Sequence, residues 1–234
     1  MKAMKIMIVA CVSIIVLLSS CRIETAKDLG PTKTKNIEVK QFDEIELSSA
    51  AKVIFHISDT VSVSIEAPEK LIDSYQIESN GKQLSIRERK MVMNIVNFSD
   101  EYVVTVHVYA PRLSSIYVTG SGEVTCDDTI HAEKFVGWVT GSGDINCKVV
   151  KAEKLSLQVT GSGDIELDEA EAVNSMAQVT GSGDIKVHFN NSDTATATIT
   201  GSGDITFTGT LSQLSKQVSG SGEIDTDKLT VTKK

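Results

Sequence analysis

The feature that most limits what this chain can fold into is one seven-letter phrase written six times. Val139 to Ile145 reads "VTGSGDI", and the phrase returns at Val159 to Ile165, Val179 to Ile185 and Ile199 to Ile205. Softer copies stand at Val118 to Val124 ("VTGSGEV") and Val218 to Ile224 ("VSGSGEI"). The first Gly of each copy falls at 120, 141, 161, 181, 201 and 220, a period near 20. A fixed period of that length marks a solenoid, because one such unit cannot bury its apolar face alone and must stack on its neighbours. Alternation of apolar and polar residues inside each unit makes the coils β rather than helical. The fold class predicted is therefore all-β, a β-solenoid of parallel β-helix type with coils of about 20 residues. Of the 16 glycines in the chain, twelve lie in the six copies, so the glycine content belongs to the repeat.

Read by column, the phrase separates into parts. Two residues before the first Gly stand Val118, Val139, Val159, Val179, Ile199 and Val218, and four after it stand Val124, Ile145, Ile165, Ile185, Ile205 and Ile224. Six after it stand Cys126, Cys147, Leu167, Val187, Phe207 and Thr226. In a strand these positions share one face, so stacking about 4.8 Å apart turns each column into an apolar ladder. The same parity sends Thr, Ser and the acid outward and both glycines inward, at a tight corner of each coil.

Strand-like alternation begins near Ile37 and continues through "KVIFHI", "VSVSIEA" and "EYVVTVHVYAP", with one helical turn at Pro68 to Tyr75. "LSSAAKVIF", Leu47 to Phe55, superposes on "VTGSGDIKV" as a worn copy in which Lys52 takes the acid's place. The expected organisation is a solenoid domain over 37–232, with its regular repeats over 113–232.

The N-terminus is of another kind. Lys2 and Lys5 precede an apolar run, Ile6 to Leu18, shorter than the roughly 20 residues that span a bilayer. A basic start, short apolar core and small-residue end describe a secretory signal peptide, and Leu18-Ser19-Ser20-Cys21 resembles a bacterial lipobox. The expectation is a signal over 1–20, lipidation of Cys21 and a flexible tether over 21–36, with the protein held through lipid at an outer membrane or cell surface and a periplasm-facing placement as the alternative. Without the first 20 residues the chain keeps 21 basic against 31 acidic residues. That balance argues against nucleic acid as a partner, which requires a basic patch.

The acid column, Glu123, Asp144, Asp164, Asp184, Asp204 and Glu223, puts carboxylates about 5 Å apart, where repulsion is about 3 kcal/mol at an effective dielectric of 20. Two readings offset it. Ca²⁺ would take several such oxygens; the favoured reading has each acid accept hydrogen bonds from Gly, Ser or Thr at its own corner and stay solvated, with no cofactor. Tyr117 and Trp138, three residues before a first Gly, face outward on successive coils and form a candidate platform for glycan or for a protein partner. The alternative is that the first half of the domain or the Met91-Val92-Met93 segment covers them. Cys126 and Cys147 share an inward column, which leaves open both a disulfide and a pair of buried thiols. No enzyme is expected: the four histidines are scattered, and identical acids offer one environment where catalysis needs two.

The phrase at its spacing of 20, behind a lipobox and a β-rich first half, resembles the head GIN domain family, described as auto-transporter adhesins common in Bacteroidetes. "APRLSSIYVTGSGEV", Ala110 to Val124, resembles that family's entry into its repeats. The resemblance runs from about Ile37 to Thr232. It implies a right-handed β-solenoid displayed at the cell surface, and some members carry a lipid-binding label. It brings no catalytic residues. The function expected is a lipid-anchored adhesin for an extracellular glycan or protein. A self-associating envelope scaffold, with homo-oligomers formed through the solenoid ends, and a calcium- or lipid-binding module are the alternatives.

Overall fold

The computed structural model describes residues 29–89 and 103–232. They form a single 15-stranded sheet that winds on itself as a β-solenoid. Five long strands make the regular coils: β9 (Glu123–Gly141), β10 (Asp144–Gly161), β11 (Ile165–Gly181), β12 (Ile185–Gly201) and β13 (Ile205–Gly220). Each pairs in parallel with the next, and Ile145↔Ile165, Gln158↔Gln178 and Gly161↔Gly181 show the 20-residue register. Within a coil the inward parity breaks twice. In β10, Ile145 and Cys147 are buried, then Val150, then Leu155, Leu157 and Val159. Each break is a bend, so a coil has three strand segments and three faces around one core.

The predicted ladders are the core. Val124, Ile145, Ile165, Ile185 and Ile205 are all fully buried, as are Val139, Val159, Val179 and Ile199. Side chains of this size gain about 1.5–3 kcal/mol each on full burial. Phe189 and Phe207 meet edge to face at 5.0 Å, and in the coil of Phe189 other inward positions shrink to Ala195 and Ala197. The ladder fails only at the far end, where Val218 is 45% exposed and no strand among the described residues covers it.

The worn copy is the floor of the stack. β2 (Glu44–Ser48) pairs in parallel with β8 (Ser115–Gly120), Leu47 against Val118. β3 (Lys52–Ile57) pairs with β9, Lys52 against Glu123 and Val53 against Val124. Beneath this layer the pattern changes. β6 (Gln83–Glu88) and β7 (Thr105–Ala110) still join β2 and β3 in parallel, but β4 (Ser62–Pro68) runs antiparallel to both β7 and β1 (Thr32–Ile37), and β5 (Tyr75–Ser79) runs antiparallel to β6. A one-turn helix, α1 (Glu69–Ile72), buries Leu71 and Ile72 against that end. The chain therefore closes one end with an antiparallel cap.

The cap corrects one expected boundary. The tether was expected to reach residue 36, yet β1 is sheet from Thr32. Its residues are almost all exposed, so it lacks the alternation that betrays a strand. Backbone pairing to β4 holds it, with ion pairs from Lys33 to Glu69 (2.7 Å) and Lys35 to Asp73 (3.0 Å). Charged residues on such an edge strand also discourage pairing with another chain. At the other end, β14 (Ile224–Asp225) and β15 (Leu229–Val231) cover only part of β13.

Candidate functional site

The GSG corner and its acid must be understood first, because they decide which residues are free to meet a partner. The two glycines differ, a correction to the expectation that both face inward. Gly163 is buried, and a Cβ there would fall on the carbonyl oxygen of Gly143 in the preceding coil. Gly161 is only half-buried, but its φ of 131° lies in the region that favours glycine. The carbonyls of Gly141, Gly161, Gly181 and Gly201 each accept two N–H groups from the next coil: Gly141 takes Ser162 (2.8 Å) and Gly163 (3.1 Å).

The acids complete the corner between coils, not within one. Asp144 Oδ1 accepts the backbone N–H of Asp164 (3.0 Å), Asp164 that of Asp184 (2.8 Å), Asp184 that of Asp204 (2.9 Å) and Asp204 that of Glu223 (2.8 Å). Each carboxylate supplies the acceptor that the backbone ladder lacks at the bend. Glu123 accepts from Asn146 Nδ2 (3.0 Å) and pairs with Lys52 (3.1 Å). Burial raises the Asp144 carboxyl above its ordinary value, and the Asp164 N–H opposes that rise. Among the described residues no group of three or more His, Cys, Asp or Glu is placed to hold a metal.

Cys126 and Cys147 stand in register and are free, buried thiols, so the open alternative of a bridge is not formed. Burial pushes the Cys126 thiol up to about 12 and that of Cys147 upward too, so neither offers a thiolate. Cys21 and Met91-Val92-Met93 lie outside the described residues.

The face made by the last segment of each coil is different in kind. Its central outward column runs Tyr117, Trp138, Gln158, Gln178, Thr198, Gln217. On one side runs a ladder of hydroxyls, Thr119, Thr140, Thr160, Thr180, Thr200, Ser219. On the other run Val136, Ser156, Met176, Thr196 and Ser215. None of these residues is charged, in a chain that is 23% Asp, Glu, Lys and Arg. The other faces carry the charge. The first segment presents Glu166 and Lys186 in one column, and the middle segment pairs Lys151 with Glu171 at 2.8 Å. Lys134 and Lys154 lie at one margin of the neutral stripe and the acid column lies beyond the corner at the other.

Tyr117 and Trp138 meet at the capped end of the stripe, their rings 6.3 Å apart and tilted by 54°. Among the described residues Trp138 is 40% exposed, and it is the only Trp in the chain. The two rings line an open groove of about 270 Å³ together with Glu44, Glu46, Gln83, Thr119 and Thr140. Its acids are matched by cations: Lys82 reaches Glu44 (2.9 Å) and Arg87 reaches Glu46 (2.8 Å). The sequence brought Tyr117 and Trp138 together correctly. It missed the groove's floor, because Glu44, Glu46 and Gln83 reach the face only through the pairing of β2 with β6 and β8. The neutral stripe was legible as a column-by-column charge count, which no single repeat reveals.

The family model described as putative auto-transporter adhesin, head GIN domain, matches residues 41–185 and 168–233, and the chain belongs to that family. No curated protein matches it. Solved structures share the fold. A putative adhesin from Bacteroides fragilis NCTC 9343 is 21% identical with a TM-score of 0.63, over 84% of this chain and 97% of that one. A putative lipid binding protein from Parabacteroides distasonis ATCC 8503 is 23% identical with a TM-score of 0.66, over 85% and 98%. A putative adhesin from the same strain is 19% identical with a TM-score of 0.58, over 84% and 97%.

Proposed function

We propose that this chain is an adhesin: a rigid rod, anchored by lipid on Cys21 at the bacterial surface, that binds an extracellular partner through the face carrying Tyr117 and Trp138. The carrying observation is that face itself, the side of the solenoid whose three central columns above β2 are uncharged and where the only Trp stands half-exposed beside a Tyr. Exposed aromatic surface on a rigid scaffold costs little entropy to bind, since the rings are already held in place. The corner acids, by contrast, are engaged in holding coil to coil. The reading is of a binding protein and not of an enzyme.

The test is made on intact cells. Protease added outside should remove the protein without cell disruption, and cells carrying Trp138→Ala should adhere less while displaying the same amount of protein. Cleavage only after disruption would end the surface reading.

The uncovered end favours one second reading, self-association. Beyond Gln213, β13 pairs on one side only among the described residues, and Val218 is exposed there. Lys216 works against it: this inward-column residue turns to the Ile224 carbonyl (3.4 Å) and Thr226 (3.1 Å) and puts a charge on the end. A sedimentation coefficient that rises with concentration would support self-association.

A further inference from the structure

We infer that the neutral stripe is a track for an uncharged, extended polysaccharide lying along the solenoid axis, with Tyr117 and Trp138 stacking on sugar rings at its capped end. The inference rests on the adhesin reading and names its partner.

Charge makes the first selection. An anionic partner would require basic side chains along the stripe and a cationic one would require free acids; from β8 to β13 the three columns hold neither, and Glu46 and Glu44, opposite Tyr117 and Ser115 at the capped end, are already paired with Arg87 and Lys82. Apart from the two rings and the apolar Val136 and Met176, what the columns hold is hydroxyls and amides, each both donor and acceptor, which is also the chemistry of a neutral glycan. Size makes the second selection. Five coil steps of about 4.8 Å and three columns about 7 Å apart give a stripe of roughly 24 by 14 Å. That is roughly 340 Å², less than half of the about 800 Å² that each partner contributes to a stable protein interface. A linear chain needs no more than such a strip.

Repetition makes the third selection. Thr140, Thr160, Thr180 and Thr200 present the same hydroxyl at every coil, so a polymer running along the axis meets one group again and again. Threonine is stiff at χ1, so little rotamer freedom is lost on contact. Each contact is weak, and their linkage through one ligand chain accumulates affinity with length.

The experiment places the full chain on an array of uncharged glucans, mannans and xylans beside anionic polygalacturonate, at about 0.05 and about 0.5 M NaCl. Retention is expected on an uncharged polymer, insensitive to salt, with at least about tenfold tighter binding to the polymer than to its trisaccharide. Thr140→Lys with Thr180→Lys should weaken retention at least about tenfold while the thermal midpoint stays in place. Thr206→Lys, on the charged face, should leave retention unchanged. Retention confined to polygalacturonate and lost in salt overturns the inference. So does retention on no glycan, and so does an unaffected double variant. The same variants in the cell assay separate the two readings. Protein-dependent adhesion without glycan retention removes the polysaccharide and leaves the adhesin. Wild-type cells that adhere no better than cells lacking the protein remove the adhesin reading itself.

Discussion

The corner at the floor of the stack and the corners above it hold the same place in the stack but are written in different residues, and Ser49 lacks the positive φ that the first Gly of each later corner adopts. At the floor, Ser49 and Ala51 stand where every later corner has glycine. Above, a Cβ at Gly122 would come within 2.5 Å of the Ser49 carbonyl oxygen and 2.6 Å of that of Ala51. The obstruction always belongs to the coil before. Ala51 keeps its methyl because no GSG corner precedes it; its neighbour on that side is the antiparallel cap, where Lys52 N–H bonds the Val104 carbonyl (2.9 Å). The second Gly of each corner is thus required by what lies underneath, whereas the first is required by its positive φ as well.

The sharpest way to break that comparison is to exchange the residues. Gly163→Ala drives a methyl into the Gly143 backbone and should cost about 3 kcal/mol or more, whereas Ala51→Gly should cost about 0.5–1 kcal/mol. Urea denaturation midpoints of the two variants measure the difference, and equal losses would show that the corners are alike after all. Next in size is the bracket between coils. Asp184→Ala removes the acceptor for the Asp204 N–H and should cost about 1 kcal/mol, while Asp184→Asn keeps an oxygen there and recovers most of it. Thermal melts of the pair decide whether the carboxylate acts as acceptor or as charge.

The bottom of the acid column adds a pH dependence. The folded protein holds the Asp144 proton more tightly than the unfolded chain does. Between the ordinary carboxylate value and the raised folded one, the native state binds more protons, so stability falls as pH rises through that window and is level above it. Asp144→Asn should lack this fall. Its midpoint should gain on the wild type from acid toward neutral pH, and parallel pH profiles would refute the assignment. The smallest effect belongs to the floor itself. Lys52→Ala breaks the pair with Glu123 and should cost under about 1 kcal/mol, less again in high salt.

Much of this was legible because a solenoid converts sequence period directly into spatial neighbours. Val139 above Val118, Cys147 above Cys126 and Trp138 beside Tyr117 all follow from counting residues, and so does the worn copy from Leu47 to Phe55. The cap was not legible, since β1 is exposed and polar, and antiparallel pairing leaves no period to count. The acids were placed correctly but given the wrong partner. Their hydrogen bonds go to a residue 20 positions on, and only the bend shows that the backbone there has an unfilled need.

The carbonyl of Gly141, held by Ser162 and Gly163, is the same joint as that of Gly161, held by Ser182 and Gly183. A coil copied whole and inserted between two others would find both of its joints already made. The length of such a rod can then change by duplication or loss of a single stretch of gene, at about 4.8 Å of reach per copy. The threonine column would lengthen with it, so that the rod's length and the extent of its neutral face are inherited as one trait.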